Sequence, residues 1–222
     1  MSREYTRRIA IVGNVPAHGP IIYYDDFEDL LKWSKLGGEG DSIFELDPTD
    51  AFSKNQSLYM KTRTASAAED DLIGAYRYLY MLPSKKPNQA IHFKALTFTT
   101  IKHLIFRFIL YDGVNQHSAG VRFVPGTPTW QYKATDLSWP AIPDSGYPLA
   151  INTWHRIQLQ IDLNTNKYLS LIVGHRHLDL SAFQYFFDPD TTDSHMYNII
   201  EIETIGAAPC ELRIDDFLLH EL

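Results

Sequence analysis

The stretch WHRIQLQIDLNTNKYLSLIVG, residues 154–174, decides the fold. Its apolar residues Ile157, Leu159 and Ile161 alternate with polar or charged residues. A period of two is typical of a β-strand with one face buried and the other in water. Residues 164–167 have the composition of a turn, and the strand pattern then resumes. The stretch therefore predicts an antiparallel β-hairpin.

The same pattern recurs along most of the chain. Gly, Pro, Asn and Asp cluster between the segments, and the only candidate for a helical turn or two is DDFEDLLKW, residues 25–33. The further strand candidates are SLYMKT, GAYRYLYM, AIHFKALTF, IKHLIFRFILY, SAGVRFV, TWQYKA, YNIIEIETI and ELRIDDFLLHEL. About a dozen strands at this spacing predict an all-β, two-sheet antiparallel jelly-roll sandwich.

The length favours one domain. A sandwich of 222 residues is commonly a single unit. We predict an N-terminal arm over residues 1–20 and a single jelly-roll domain over 21–222. The apolar run at 9–12 suggests that the arm pairs with an edge strand or with a neighbouring molecule. The single cysteine, Cys210, excludes an internal disulfide.

The charge balance bears on partners and location. The chain has 20 basic and 27 acidic residues and a net charge of −7, which argues against nucleic acid or an anionic membrane as partner. No segment has the apolar length of a membrane span, and the N-terminus lacks the pattern of a secretory signal. We expect a cytoplasmic protein or, if the chain is phage-encoded, one at a virion or particle surface.

Three segments carry a family resemblance. They are YDDFEDLLKWSKLGGEGDSIFELDPTDAFSKNQSLYMKT, PLAINTWHRIQLQIDLNTNKYLSLIVG and the closing LRIDDFLLHEL. Together they resemble the concanavalin A-like and laminin-G-like jelly rolls, which include lectin-like and carbohydrate-binding modules. Modules similar to these also occur as accessory domains on phage particles. The resemblance covers about half of the chain, and it implies the fold more strongly than a ligand.

The resemblance also implies a metal. Where such modules hold structural calcium, the ligands come from the N-terminal acidic corner and the last strand, which here means Glu28 and Asp216 with Asp26 or Asp25. Calcium prefers several hard oxygen ligands at one place. The alternative is a helix cap with solvated charges. Apart from this possible structural calcium, we expect no cofactor.

Two other pairs of residues have spacings that bear on catalysis or metal binding. Glu201 and Glu203 lie two residues apart and share a strand face, as the carboxylates of some jelly-roll glucanases do. A third carboxylate of that pattern is absent, so a solvated strand face is the alternative. His175 and His177 also share a face, and a surface hairpin tip is the alternative to a metal site.

The candidate binding residues are aromatic or basic. In IKHLIFRFILY, Phe106 and its like-facing neighbours should enter the core and leave Arg107 outside. Rings that stack on sugars, with polar groups beside them, suit carbohydrate binding. The same composition suits a protein interface. The predicted ligand-binding residues are Trp130, Tyr132, Trp139, Arg107, Arg122 and Tyr78.

Three functions follow from these observations. The first is a non-catalytic structural or accessory protein of a larger assembly, such as a capsid decoration or tail accessory of a phage-like virion, with protein partners and a homo-oligomeric state. The second is a carbohydrate-binding module. The third is a glycan hydrolase or lyase that uses Glu201 and Glu203.

Overall fold

The computed structural model describes residues 20–63, 68–80, 85–206 and 208–222. The strands in these ranges are β1 (Ile21–Asp25), β2 (Ser34–Gly37), β3 (Ile43–Asp47), β4 (Ser57–Lys61), β5 (Leu72–Leu79), β6 (Pro87–Ala95), β7 (Ile101–Tyr111), β8 (Asn115–Val124), β9 (Thr129–Tyr132), β10 (His155–Asp162), β11 (Lys167–Val173), β12 (Arg176–Asp179), β13 (Phe186–Pro189), β14 (His195–Thr204) and β15 (Glu211–Glu221).

The strands form two antiparallel sheets packed as a sandwich. The first sheet has the order β12-β11-β10-β6-β15-β4-β3, and β1 also pairs with β15. The second has the order β13-β8-β7-β14-β5-β2, and β9 also pairs with β8. Neighbouring strands are often distant in sequence, as expected for a jelly roll. The predicted all-β jelly-roll sandwich is confirmed.

The hairpin at 154–174 forms as its alternation predicts. Strand β10 pairs with β11, with Ile157 opposite Val173 and Leu159 opposite Leu171. The inward side chains of β10 are at most 2% exposed. They join a single apolar core between the sheets, and its burial is the main favourable contribution to folding.

No helix forms in the segment 25–33. Strand β1 ends at Asp25, whose carboxylate accepts a hydrogen bond from the Phe27 amide at 3.0 Å. This short-range bond replaces a helical turn. Phe27 has a φ of 56° and is buried against Trp33, with ring centroids 5.9 Å apart. Trp33 is itself buried, whereas Trp154 is only partly buried.

The predicted arm falls, except for Pro20, outside the described residues. Its boundary and its role in assembly therefore stay predictions. Within the described ranges, the fold contains no helix with the length and apolarity needed to cross a membrane.

Candidate functional site

The outer face of the second sheet collects most of the predicted polar and aromatic residues. Strand β7 sends Phe106 and Phe108 into the core, so Arg107 between them points outward. On β14, Ile200 and Ile202 face the core and Glu201 faces out. The register places the outward-facing residues of β7 beside the outward-facing residues of β14 and β8. This alternation builds one continuous outer face, as expected for a sheet.

An ion pair lies at the centre of this face. The Arg107 Nε atom is 2.9 Å from Glu201 Oε2, and Nη2 donates to Oε1 at 3.0 Å. The Glu201 side chain is only 5% exposed, against 25% for Arg107. Burial raises the pKa of Glu201, although the charges of Arg107 and Lys133 favour its carboxylate form.

Two glycines make room for this pair. Gly74 lies opposite Glu201 on β5, and Gly120 lies opposite Arg107 on β8. A Cβ at Gly74 would lie 2.8 Å from Glu201 Cγ and from the carbonyl oxygen of Ile200. A Cβ at Gly120 would lie 2.7 Å from Arg107 Cβ. A side chain at either position would displace the pair or the backbone beneath it.

Beside the ion pair lies an open groove of about 240 Å³. Arg107 is its charged lining residue, and apolar side chains and tyrosines supply the other walls. The lining residues are Leu36, Tyr76, Arg107, Ile109, Tyr111, Tyr197 and Ile199. Small-molecule sites commonly combine such apolar walls with a few polar groups that fix the ligand's orientation.

The groove continues into an aromatic cluster around His195. The His195 ring stacks on Tyr78 at 4.9 Å and on Tyr111 at 4.6 Å between centroids. Tyr197 meets it edge-on at 5.0 Å, and Tyr80, next to Tyr78, is 82% exposed. Tyr78, a predicted ligand-binding residue, therefore lies on the outer face of the second sheet.

The opposite side of the face is basic. The Arg122 guanidinium lies over the Trp139 ring, 4.8 Å from its centroid, and Nε donates to Gln131 Oε1 at 2.6 Å. Lys133 follows on the same face, and its Nζ donates to Ser118 Oγ at 3.0 Å. Arg107, Arg122 and Trp139 therefore share one surface.

Glu203 occupies the rim of this surface. Its Oε2 atom lies 2.7 Å from His103 Nδ1, and its Oε1 lies 3.7 Å from Lys102 Nζ. Glu201 and Glu203 share a face as predicted, but each carboxylate is engaged by its own basic partners. The arrangement shows two separate ion pairs, and it does not test whether either carboxylate is catalytic.

Two predicted binding residues lie elsewhere. Trp130 is 1% exposed and packs between the sheets, 5.2 Å from Phe123 by ring centroids. Tyr132 lies on the same side of β9 as Trp130 and packs against the core. Its ring stacks on Phe183, with the ring centroids 4.4 Å apart. Trp130, predicted as a ligand-binding residue, is thus a core residue, whereas Tyr132 is partly buried. Alternation places both rings on one side of β9, and only the pairing with β8 reveals that this side faces the core.

The acidic corner is held by hydrogen-bond donors and cations of the chain itself. Asp26 Oδ2 lies 2.7 Å from Lys54 Nζ. Glu28 Oε1 accepts the Asn55 amide at 2.9 Å, and Asp216 Oδ1 accepts the Tyr24 hydroxyl at 2.8 Å.

Nowhere in the described part of the chain do three or more Asp, Glu, His or Cys side chains converge as metal ligands. In this arrangement the acidic side chains of the corner are not grouped as a set of calcium ligands. Calcium binding by Asp26, Glu28 and Asp216 stays a prediction.

Asp215 is a further carboxyl of this corner, and its environment perturbs it strongly. Its Oδ2 accepts the amides of Phe52 and Ser53 at 2.9 and 3.0 Å. Burial, together with repulsion from Asp216, raises its pKa to about 7 despite these bonds. Through its hydrogen bonds, Asp215 connects β15 to the loop after β3.

His175 and His177 lie at the turn between β11 and β12 and on β12 itself, and both are exposed. This is the surface hairpin tip that was the alternative to a metal site.

The sequence analysis missed Tyr197, His195 and Lys133. Tyr197 and His195 have the same parity on β14 as Glu201, so counting back along the strand would have placed them on the same face. Lys133 lies just beyond β9, and its orientation follows from the pairing of its amide with the carbonyl of Gly120.

Solved structures with this fold were found by comparison of coordinates. The cellulose-induced protein Cip1 superposes with a TM-score of 0.62 and 14% identity, over 90% of this chain and 97% of that one. An endo-β-1,4-glucuronan lyase from the fungus Trichoderma reesei gives a TM-score of 0.59 and 8% identity, over 91% and 96%. A sialidase gives 0.56 and 8%, over 86% of this chain.

This chain spans only 17% of the sialidase. No protein-family model and no curated protein sequence matches the chain. At these identities the likeness shows a shared jelly-roll fold. None of the three structures is named as a virion protein, so the particle hypothesis gains no support from them.

Proposed function

We propose that this protein is a non-catalytic carbohydrate-binding module whose ligand lies in the groove on the outer face of the second sheet. The observation that carries the proposal is the convergence of Tyr76, Tyr111 and Tyr197 with Arg107 in one open groove. Tyrosine rings offer flat apolar surfaces for the C–H faces of sugars, and the guanidinium offers several donors to hydroxyl or carboxylate oxygens.

The shape of the groove supports an extended ligand. The groove is open, and the aromatic cluster around His195 and the Arg122–Trp139 contact lie on either side of it on the same sheet. A linear oligosaccharide that runs diagonally over the sheet, from His195 on β14 to Arg122 on β8, would contact all three areas.

The engagement of the carboxylates supports a non-catalytic role. Glu201 is fixed by Arg107, and Glu203 by His103 and Lys102. General acid–base catalysis needs a group that can exchange a proton with the reacting atom. A glycosidase that used these two residues would first have to break both ion pairs.

The names of two similar structures support a glycan ligand. One is a cellulose-induced protein and the other a lyase of glucuronan. Assembly into a homo-oligomer remains compatible with this proposal and is tested separately, by the solution mass of the full chain.

The test is a polysaccharide panel with matched tyrosine variants. We expect wild type to be retained in affinity gels by at least one polysaccharide and Tyr197→Ala to lose that retention. Tyr59→Ala is the control, because Tyr59 lies on the other sheet, beneath the Arg213 guanidinium at 4.7 Å.

Equal retention of both variants, or no retention of wild type on a broad panel, would contradict the proposal. The same panel, assayed for released reducing ends and for unsaturated products, measures catalysis directly.

A further inference from the structure

The basic side of the outer face has more cations than carboxylates. Arg107 is matched by Glu201. Arg122 and Lys133 instead contact neutral partners, namely Gln131, Trp139 and Ser118. In the part of the chain that the structure describes, neither cation lies within ion-pair distance of a carboxylate. This leaves two positive charges on one side of the outer face without a direct counter-ion.

These two cations are also partly withdrawn from water. Burial lowers the pKa of both Arg122 and Lys133, and the charge of Arg107 lowers that of Lys133 further. The more distant carboxylates of Glu203 and Glu201 act in the opposite direction on the pKa of Arg122 and of Lys133, respectively. Holding a charged group away from water is costly unless an opposite charge accompanies it. Both cations on this surface therefore carry an unfavourable desolvation free energy. An anionic ligand would reduce it.

The backbone places the basic residues of this side in neighbouring rows. In the row that crosses the sheet, Arg107 on β7 is followed by Gly120 on β8 and then by Lys133. Gly120 has no side chain, so no side chain of β8 separates Arg107 from Lys133 in this row. Arg122 lies in the adjacent row, with its guanidinium held flat by Trp139. A guanidinium fixed in this way can present its remaining N–H groups to both oxygens of an anion.

We propose that the glycan bound on this face is anionic, with a carboxylate or sulfate group of a sugar unit held between Arg122 and Lys133. This inference rests on the proposed function and specifies its substrate class.

The net charge of the chain does not favour binding of an anionic glycan. The chain carries a net charge of −7, so its general field repels polyanions. Attraction of an acidic glycan must then come from local contacts, and a polyanion without sugar stacking, such as polyglutamate, should bind poorly.

The experiment compares matched glycans by titration calorimetry. Polygalacturonate is compared with its carboxyl-reduced, neutral form, and dextran sulfate with dextran. We expect at least about tenfold tighter binding to one charged member of these pairs than to its neutral partner, since a charge-assisted hydrogen bond contributes on that scale. Preference for polygalacturonate identifies a carboxylate, and preference for dextran sulfate identifies a sulfate.

Two results overturn the inference in different ways. Equal affinity for a charged glycan and its neutral form would refute anion recognition and leave carbohydrate binding intact. No binding to these four glycans or to any member of the wider panel would refute the proposed function itself.

Variants locate the anion. Arg122→Gln and Lys133→Gln should each weaken binding of the preferred charged glycan about tenfold, and should weaken binding of its neutral form by clearly less. Arg156→Gln is the matched control, because Arg156 is also partly buried and bonded to a glutamine, Gln158 at 3.0 Å, but lies on the other sheet. A loss for Arg156→Gln as large as for Arg122→Gln would overturn the placement.

Discussion

The charge of Glu201 can be removed with little change of shape by Glu201→Gln. In the folded protein its carboxylate holds Arg107 through two contacts of 2.9 and 3.0 Å. Removing one partner of a fully buried pair costs about 3–5 kcal/mol. Here Arg107 keeps 25% of its side chain exposed, so water replaces part of the lost interaction. Glutamine also keeps one acceptor and avoids the cost of burying a charge. We expect a loss of about 1–3 kcal/mol in the free energy of unfolding.

Urea unfolding followed by tryptophan fluorescence measures this change. With a slope of roughly 2 kcal/mol per molar, a loss of about 2 kcal/mol lowers the midpoint by roughly 1 M. Glu203→Gln is the control, because its carboxylate is 19% exposed at the rim and a surface pair contributes at most about 1 kcal/mol. If Glu201→Gln unfolds at the wild-type midpoint, or if Glu203→Gln is the more damaging change, the central ion pair does not have the energetic role argued here.

Further predictions concern the core and the acidic corner. Trp130→Ala should cost about 3–5 kcal/mol in urea unfolding because it empties a buried site, whereas Trp139→Ala should cost clearly less; similar losses would contradict the assignment of Trp130 to the core. Asp215 has its pKa raised from 3.8 to about 7, so its contribution to stability is complete below pH 3.8 and is lost as the pH rises towards 7. Asp215→Asn should therefore flatten the fall in unfolding free energy between pH 4 and pH 7, and an unchanged slope would assign the pH dependence to other groups. Calcium held by Asp26, Glu28 and Asp216 should raise the melting temperature, with reversal by a chelator, and an unchanged melt would count against it.

The alternation of apolar residues was enough to predict the sandwich. In β7 and β10 one face of the strand is much more apolar than the other. Whether a side chain points inward or outward can therefore be predicted from its residue type. The hairpin between β10 and β11 is local, and its turn composition marks it. Arg107 was placed on the outer face for this reason.

Strand β9 shows where this reasoning fails. Trp130 and Tyr132 share one face, but aromatic rings suit a core and a binding surface equally well. The face that becomes the interior is decided by pairing with Phe123 and Val121, which comes from a different part of the sequence. The predicted helical turn at 25–33 failed because the carboxylate of Asp25 binds the nearby backbone instead.

The remaining residues of the site were not predicted because the site combines segments that are distant in sequence. The groove combines residues of β2, β5, β7 and β14, whose order in the sheet is not their order in the chain. No local pattern specifies that Gly120 separates Arg107 from Lys133, because that row depends on the register between strands.

The most direct test of carbohydrate binding on the outer face is the map of amide chemical shifts in ¹⁵N-labelled protein titrated with a hexasaccharide of the polysaccharide retained most strongly. The proposed site predicts that the shifted amides belong to β5, β7, β8 and β14, centred on Arg107 and Tyr197. Shifts confined to the other sheet, or no saturable shifts at millimolar ligand, would contradict it.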